Sequence, residues 1–323
     1  MKTHTLALLG KIQYEKVAPF VALAVLFVAS SVLSPYFLQI QNLLNILRQV
    51  SYTGMIALGM TFVIIGGGID LSVGSLAAFN ASMGILFLNY LMGPLGNEYL
   101  AMAGGILAAL LLGAFSGALN GFLITKGKIA PFIVTLGSMA IFRSLALFIG
   151  SAGEIRSVSN YYGTFGMESI LFVPVPVFAM VILTVLLSLV LNNTAYGRYL
   201  CAVGSNLRVA VFSAIKVNKI KFITYTLCGL ITSVSAVMLS SRFNAVSTSN
   251  LGMGFELDAI AAVIIGGTPL TGGRGTVWGT VMGAIILGII NNMLNMLGVS
   301  PYLQGTVKGL VIIGAVYIQA QKS

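Results

Sequence analysis

The chain has 323 residues, 58% of them hydrophobic and only 7% charged, less than a third of the roughly one-quarter charged content of a soluble globular protein. So thin a polar coat excludes a soluble globule of this size and leaves lipid as the solvent. A net charge of +10 would suit nucleic acid, but the 17 lysines and arginines fall in short clusters between apolar runs. That is how membrane proteins set their orientation, and it excludes nucleic-acid binding.

Crossing about 30 Å of hydrocarbon takes about 20 apolar residues in a helix. The basic segment through Lys16 leads into an apolar run to Ser34 without a small-residue cleavage site, and reads as a retained first span over 17–34. Further spans are expected near 51–67, 71–92, 99–125, 129–150, 171–191, 222–240, 256–268, 275–297 and 303–320. The expectation is an all-α polytopic membrane bundle of about ten spans, with residues 1–323 forming one transmembrane domain. The amphipathic stretch 37–50, which carries Arg48, is expected to lie at the outer interface. The run 256–268 is short for a crossing and bracketed by glycines, so a half-helix or broken span is expected there.

Lysine and arginine stay on the cytoplasmic side during insertion. Lys2, Lys11 and Lys16 place the N-terminus inside, and counting crossings makes the Lys126 and Lys128 turn, the basic 192–221 loop and the C-terminal Lys322 cytoplasmic. The nearly balanced 151–170 loop falls outside.

Within span 99–125, Gly105, Ala109, Gly113, Gly117 and Gly121 put a small residue at every fourth position, which lets helix backbones approach closely. Gly279 with Gly283, and Gly305 with Gly309, repeat the spacing. The string VIIGG at 63–67 recurs at 263–267 and raises a weak internal repeat, a common feature of transporters. Cys201 and Cys228 carry no disulfide or metal pattern and read as packing residues.

Enzyme chemistry finds little to work with. The one histidine is His4, so neither a histidine-based triad nor a histidine-rich metal site can be assembled. The glycine-rich 267–274 segment lacks the Lys-Ser/Thr pair of a phosphate-binding loop. No catalytic group, cofactor or metal is expected, and any ATP hydrolysis belongs to another subunit. Among seven acids, only Asp70, Glu256 and Asp258 lie at or near apolar runs, where a charge is costly. Two readings stand. Asp70 or Ser72 can cap a helix, with Glu256 and Asp258 in the first turn of another, favoured by its dipole. Alternatively these broken-helix ends, with Ser75 and Thr268, line a path where backbone N–H groups and polar caps meet a hydroxylated solute. In the 197–221 loop, the segment after Gly204 can form a short amphipathic helix offering Val209, Phe212 and Ala210 among basic residues, either to a groove on a soluble partner or to anionic headgroups of the membrane lipid.

Four stretches carry a family resemblance: GMTFVIIGGGIDLSVGSL at 59–76, the loop 197–221, ELDAIAAVIIGGTPLTGGRGTVWGT at 256–280 and NNMLNMLGVSPYLQGTVK at 291–308. Through them the chain resembles, almost end to end, the permease subunits of bacterial ATP-binding-cassette importers for monosaccharides, nearest the ribose type. The resemblance implies a homodimer in the inner membrane with both termini cytoplasmic, a cassette ATPase below, a periplasmic sugar-binding protein above and a monosaccharide as cargo. It also implies that Gly204, Asn206, Arg208, Val209, Phe212 and Ile215 form the ATPase-coupling loop. The family usually has an acid and an alanine pair after the Gly-x-Asn and a glycine near 214; Leu207, Arg208, Val209 and Ala214 stand there instead, which bears on the choice of ATPase. A secondary transporter or facilitator is the alternative, and it would want buried titratable groups at mid-membrane, of which few are present.

Overall fold

The structure, a computed structural model, describes residues 20–320 and is built mostly of helices. In chain order they are α1 (Phe20–Leu33), α2 (Ile40–Ile65), α3 (Val73–Leu95), α4 (Glu98–Thr125), α5 (Pro131–Ile149), α6 (Asn160–Met167), α7 (Val175–Asn193), α8 (Ala195–Ser205), α9 (Leu207–Phe212), α10 (Val217–Phe243), α11 (Phe255–Ile265), α12 (Val277–Met296) and α13 (Pro301–Ala320). Four short strands join them: β1 (Glu154–Arg156) pairs antiparallel with β4 (Ala245–Ser247), and β2 (Ser169–Ile170) with β3 (Val173–Pro174).

Among the described residues seven helices, α2, α3, α4, α5, α7, α10 and α12, are long and apolar enough to cross a membrane. The expected ten are not reached on that ground, and the segment expected to break is the clearest case: α11 has 11 residues, about 16 Å of helix. Lys2, Lys11, Lys16 and Lys322, on which the orientation of the termini rested, lie outside the described residues, as does His4.

One expectation is corrected outright. The 37–50 stretch is not a separate interfacial helix, because α2 runs unbroken for 26 residues, about 39 Å. One polar side chain of the stretch turns into the protein, the Asn42 and Asn292 amides bonding each other reciprocally at 2.7 and 3.2 Å, while Gln41, Asn45 and Gln49 stay exposed. No proline interrupts α2, and its interior glycines are packed, with a Cβ on Gly59 meeting the Cys228 backbone at 3.2 Å. Buried almost throughout its second half, α2 is the central helix of the core.

The small-residue stripe of α4 serves its expected purpose. Gly105 faces the Gly84 carbonyl of α3, and Gly113, Gly117 and Gly121 face Gly229 and Ser233, Tyr225, and Phe222 of α10. Gly279 and Gly283 of α12 seat against Gly266 and the Ala262 carbonyl at the end of α11. Gly305 and Gly309 differ, since nothing stands within 4 Å of where their Cβ atoms would be.

Both VIIGG strings close a helix in the same way. The N–H groups of Gly68 and Thr268 donate to the carbonyls of Val63 and Val263 at 2.9 and 3.1 Å, and those of Gly67 and Gly267 to Ile64 and Ile264 at 2.9 Å each. Gly67 and Gly267 are left-handed, at φ +74° and +90°, the conformation this helix ending demands and glycine supplies without strain.

The chain between α10 and α11 is held by a cation. Nη1 of Arg143 on α5 donates to the carbonyls of Thr248 at 3.0 Å, Leu251 at 3.0 Å and Ser249 at 3.4 Å. Non-helical backbone within a membrane domain must satisfy its carbonyls inside the protein, and Arg143 does so here. Arg143→Met is expected to lower stability by about 2–3 kcal/mol, seen as a lower melting temperature in detergent, and Arg143→Lys to restore part of it.

Candidate functional site

Two regions hold the chemistry. At one end of the bundle, α8 meets the C-terminus of α2 and the loop between α11 and α12, and α9 follows directly from α8. The Gly273 N–H donates to the Ile65 carbonyl at 2.9 Å, and Ser205 Oγ donates to the carbonyls of Cys201 at 2.8 Å and Gly273 at 3.3 Å. Gly204 lies in this junction so closely that a Cβ on it would overlap the Ile65 carbonyl oxygen and stand 2.6 Å from the Gly273 nitrogen. Glycine is required there by contact.

Asn206 starts α9 as its N-cap, its side-chain oxygen accepting from the N–H groups of Arg208 at 3.0 Å and Val209 at 3.1 Å. This is the capping chemistry for which Asn is favoured. Ala210 faces inward and is 1% exposed, whereas Leu207, Val209, Val211 and Phe212 point outward, Phe212 at 89%. Arg208 is exposed and Ile215 half-buried. The result is an apolar ridge on a short, capped helix, set on the junction of α2, α8 and the 266–276 loop. Val211 was not singled out from sequence; it lies four residues from Leu207 and so on its face of the helix, beside the Val209 and Phe212 pair.

Ala214 ends α9 with φ +58°, and the Ile215 N–H reaches back to the Ala210 carbonyl at 3.1 Å. An alanine in this conformation is strained. Ala214→Gly is therefore expected to stabilise the loop by about 1 kcal/mol, read as slower proteolysis of the α9 segment.

The second region lies farther from α9. The Asp70 group is buried where α3 begins: the carboxylate, 1% exposed, accepts from the Ser72 N–H at 2.9 Å and hydroxyl at 2.6 Å. Asn120 donates to Ser72 Oγ at 3.1 Å, and Ser138 donates to Asn120 Oδ1 at 2.5 Å. Ser75 bonds the Ser72 carbonyl at 2.9 Å. These groups satisfy one another and tie α3, α4 and α5 together. Glu256, on the first turn of α11, lies against Gly74, and Thr268 is fully buried beside Gly275 with its hydroxyl unpartnered.

Asp258 is placed differently. It lines a cavity of about 370 Å³ between α2, α10, α11, α12 and α13, together with Gln49, Thr53, Arg242, Asn291 and Lys308. Small-molecule sites run from about 300 to 1,000 Å³, so this one suits a small solute. Its lining is unusual for a membrane interior, with two cations, one acid and two amides. Lys308 Nζ and Asp258 Oδ2 form an ion pair at 3.0 Å, their side chains 27% and 13% exposed. Asn291 Oδ1 is buried without a partner. A second cavity of about 440 Å³ shares Leu239, Phe243 and Phe255 with the first and reaches Glu154 of β1, so the two adjoin along the α10–α11 connection. Gln49, Thr53, Arg242, Asn291 and Lys308 were missed from sequence. A lysine inside the apolar run 303–320 was the one available signal.

The chain matches the family model described as "Branched-chain amino acid transport system / permease component" over residues 42–316. It is 43% identical over 321 residues to the ribose import permease protein RbsC of Bacillus subtilis (strain 168), covering 96% of this chain and 94% of that one. To RbsC of Escherichia coli (strain K12) it is 42% identical over 306 residues, 94% and 92% of the two chains. The D-allose transport system permease protein AlsC of the same strain is 36% identical over 304 residues, 94% and 91%. No solved structure matches the chain. The family model spans nearly all of the described helices, including both ends of the bundle where the polar and exposed apolar groups collect, and the chain belongs to the branched-chain amino acid transport system / permease component family.

Proposed function

We propose that the chain is the membrane subunit of an ATP-driven importer that moves ribose, or a closely related monosaccharide, into the cell. The observation that carries this reading is the 42–43% identity to ribose import permeases over more than nine-tenths of both chains. The protein is a multi-pass inner-membrane permease, translocation involves no bond-making on its part, and ATP is hydrolysed by a separate cassette subunit. A periplasmic binding protein delivers the sugar.

The apolar ridge of α9 is the surface that seats in the ATPase. Its rigid cap at Asn206 and the Gly204 contact with α2 support that role, because a push on α9 is passed directly to backbone rather than absorbed by side chains. On this reading α9 and both termini lie in the cytoplasm. The cavity holding Asp258, Lys308, Arg242 and Asn291 is the part of the path within one subunit: charged and amide groups can exchange hydrogen bonds with a hydroxyl-rich solute, while its modest size excludes larger ones. Asp70, Ser72 and Ser75 hold the helix break at the start of α3. A second copy of the permease completes the path, and lipid covers the outward faces of α4, α5 and α7.

The test is affinity purification of the tagged permease in mild detergent with its cassette ATPase, with hydrolysis measured as binding protein loaded with ribose, allose or arabinose is added. Stimulation greatest with ribose supports the reading as stated. Stimulation by another sugar alone changes the cargo, and failure of any ATPase to co-purify overturns it.

A further inference from the structure

We propose that the tip of the β2–β3 hairpin is a lipid anchor, inserted at the headgroup boundary of the bilayer leaflet at the α6 end of the bundle. The register pairs Ser169 with Pro174 and Ile170 with Val173, leaving Leu171 and Phe172 as a two-residue turn. Both are left-handed, at φ +49° and +68°. A turn with two positive φ values takes Asn-Gly, since other side chains strain in that conformation. Here the two positions instead carry large apolar side chains, so turn chemistry did not select them.

Their surroundings show what they meet. Leu171 and Phe172 are 84% and 87% exposed, with exposed Ile170 and Met167 beside them in the chain and Glu168 the one charge between 167 and 174. The hairpin runs straight into α7, which begins at Val175, a 19-residue helix apolar enough to span a membrane. α7 leaves Val181, Ile182, Val185 and Leu186 exposed, a surface suited to acyl chains, and the hairpin lies directly before its N-terminus in the chain. At the same end, exposed Tyr99 and Tyr161 pack with tilted rings whose centres are 4.8 Å apart, and tyrosines of this kind settle at headgroup level. A surface for a soluble partner that docks and leaves is about as polar as ordinary protein surface. Four apolar side chains with one acid fit lipid better.

The inference rests only on α7 crossing the membrane, so it can fail while the importer reading stands, and the reverse. Trp278→Phe removes the one tryptophan of the chain, and Phe172→Trp then reports on the tip of the full-length protein in phosphatidylcholine vesicles. Lipid brominated near the headgroup is expected to quench roughly half or more of its emission, with little effect from iodide. In a second protein, Ile170→Trp reports while Leu171→Asn and Phe172→Gly supply a turn that suits the hairpin; there the bromolipid quenching is expected to be lost and iodide quenching gained. Iodide quenching of Trp at 172 without bromolipid quenching would overturn the anchor. If a sugar-binding protein removed that iodide quenching, the tip would be a protein-docking site instead.

Discussion

Gly204→Ala is expected to leave the permease in the membrane but to cut binding-protein-stimulated ATP hydrolysis by roughly tenfold or more. The added Cβ has nowhere to go. It would overlap the Ile65 carbonyl, which already accepts from the Gly273 N–H, and would crowd the Gly273 nitrogen. Both neighbours are backbone, so relief requires α8 to move away from α2, and overpacking of this kind costs about 1–3 kcal/mol. A shift of that sort separates α9 from the two helix ends through which it acts. A control distinguishes coupling from general damage: Phe212→Ala, on the exposed ridge, should weaken ATPase co-purification without lowering the melting temperature, whereas Gly204→Ala should lower stimulation even where the ATPase remains bound.

Lys308→Met has the second largest expected effect, for an electrostatic reason. It leaves the half-buried Asp258 carboxylate without its cation, and stranding one member of a part-buried, hydrogen-bonded pair costs about 1–3 kcal/mol. The ion pair also joins α11 to α13, a helix otherwise mostly exposed along its described length. The melting temperature should fall sharply for Lys308→Met and recover in the Asp258→Asn, Lys308→Met double variant, where no charge is stranded. Sugar transport should stay low in both, since each changes the polar lining of the cavity. If transport returned with stability, the pair would be a structural tie and the cavity would not be part of the path.

These two sites were legible to different degrees. Gly204 and Asn206 lie within one contiguous loop, and a capped amphipathic segment can be read from neighbouring residues. The small-residue face of α4 and the shortness of α11 were readable for the same reason, being local patterns with a fixed period or length. Asp258 and Lys308 are 50 residues apart, and nothing local says that α11 and α13 meet. At 37–50 amphipathicity did not show that Asn42 meets the Asn292 amide of a neighbouring helix, because a polar side chain looks the same in sequence whether it meets headgroups or another amide. The β2–β3 hairpin was invisible for the opposite reason: its turn breaks the residue preferences by which hairpins are found. At Asp70 both cap and path were open, and the geometry puts its carboxylate on Ser72 and leaves it off the cavity wall.

The central claim is that this permease moves sugar only when driven by a cassette ATPase. Uptake of labelled ribose into proteoliposomes tests it, with the permease reconstituted alone or with its ATPase, ATP and loaded binding protein. The account predicts uptake with all components present and none when ATP or the ATPase is left out. Saturable uptake by the permease alone, without ATP, would contradict it and make the protein a facilitator.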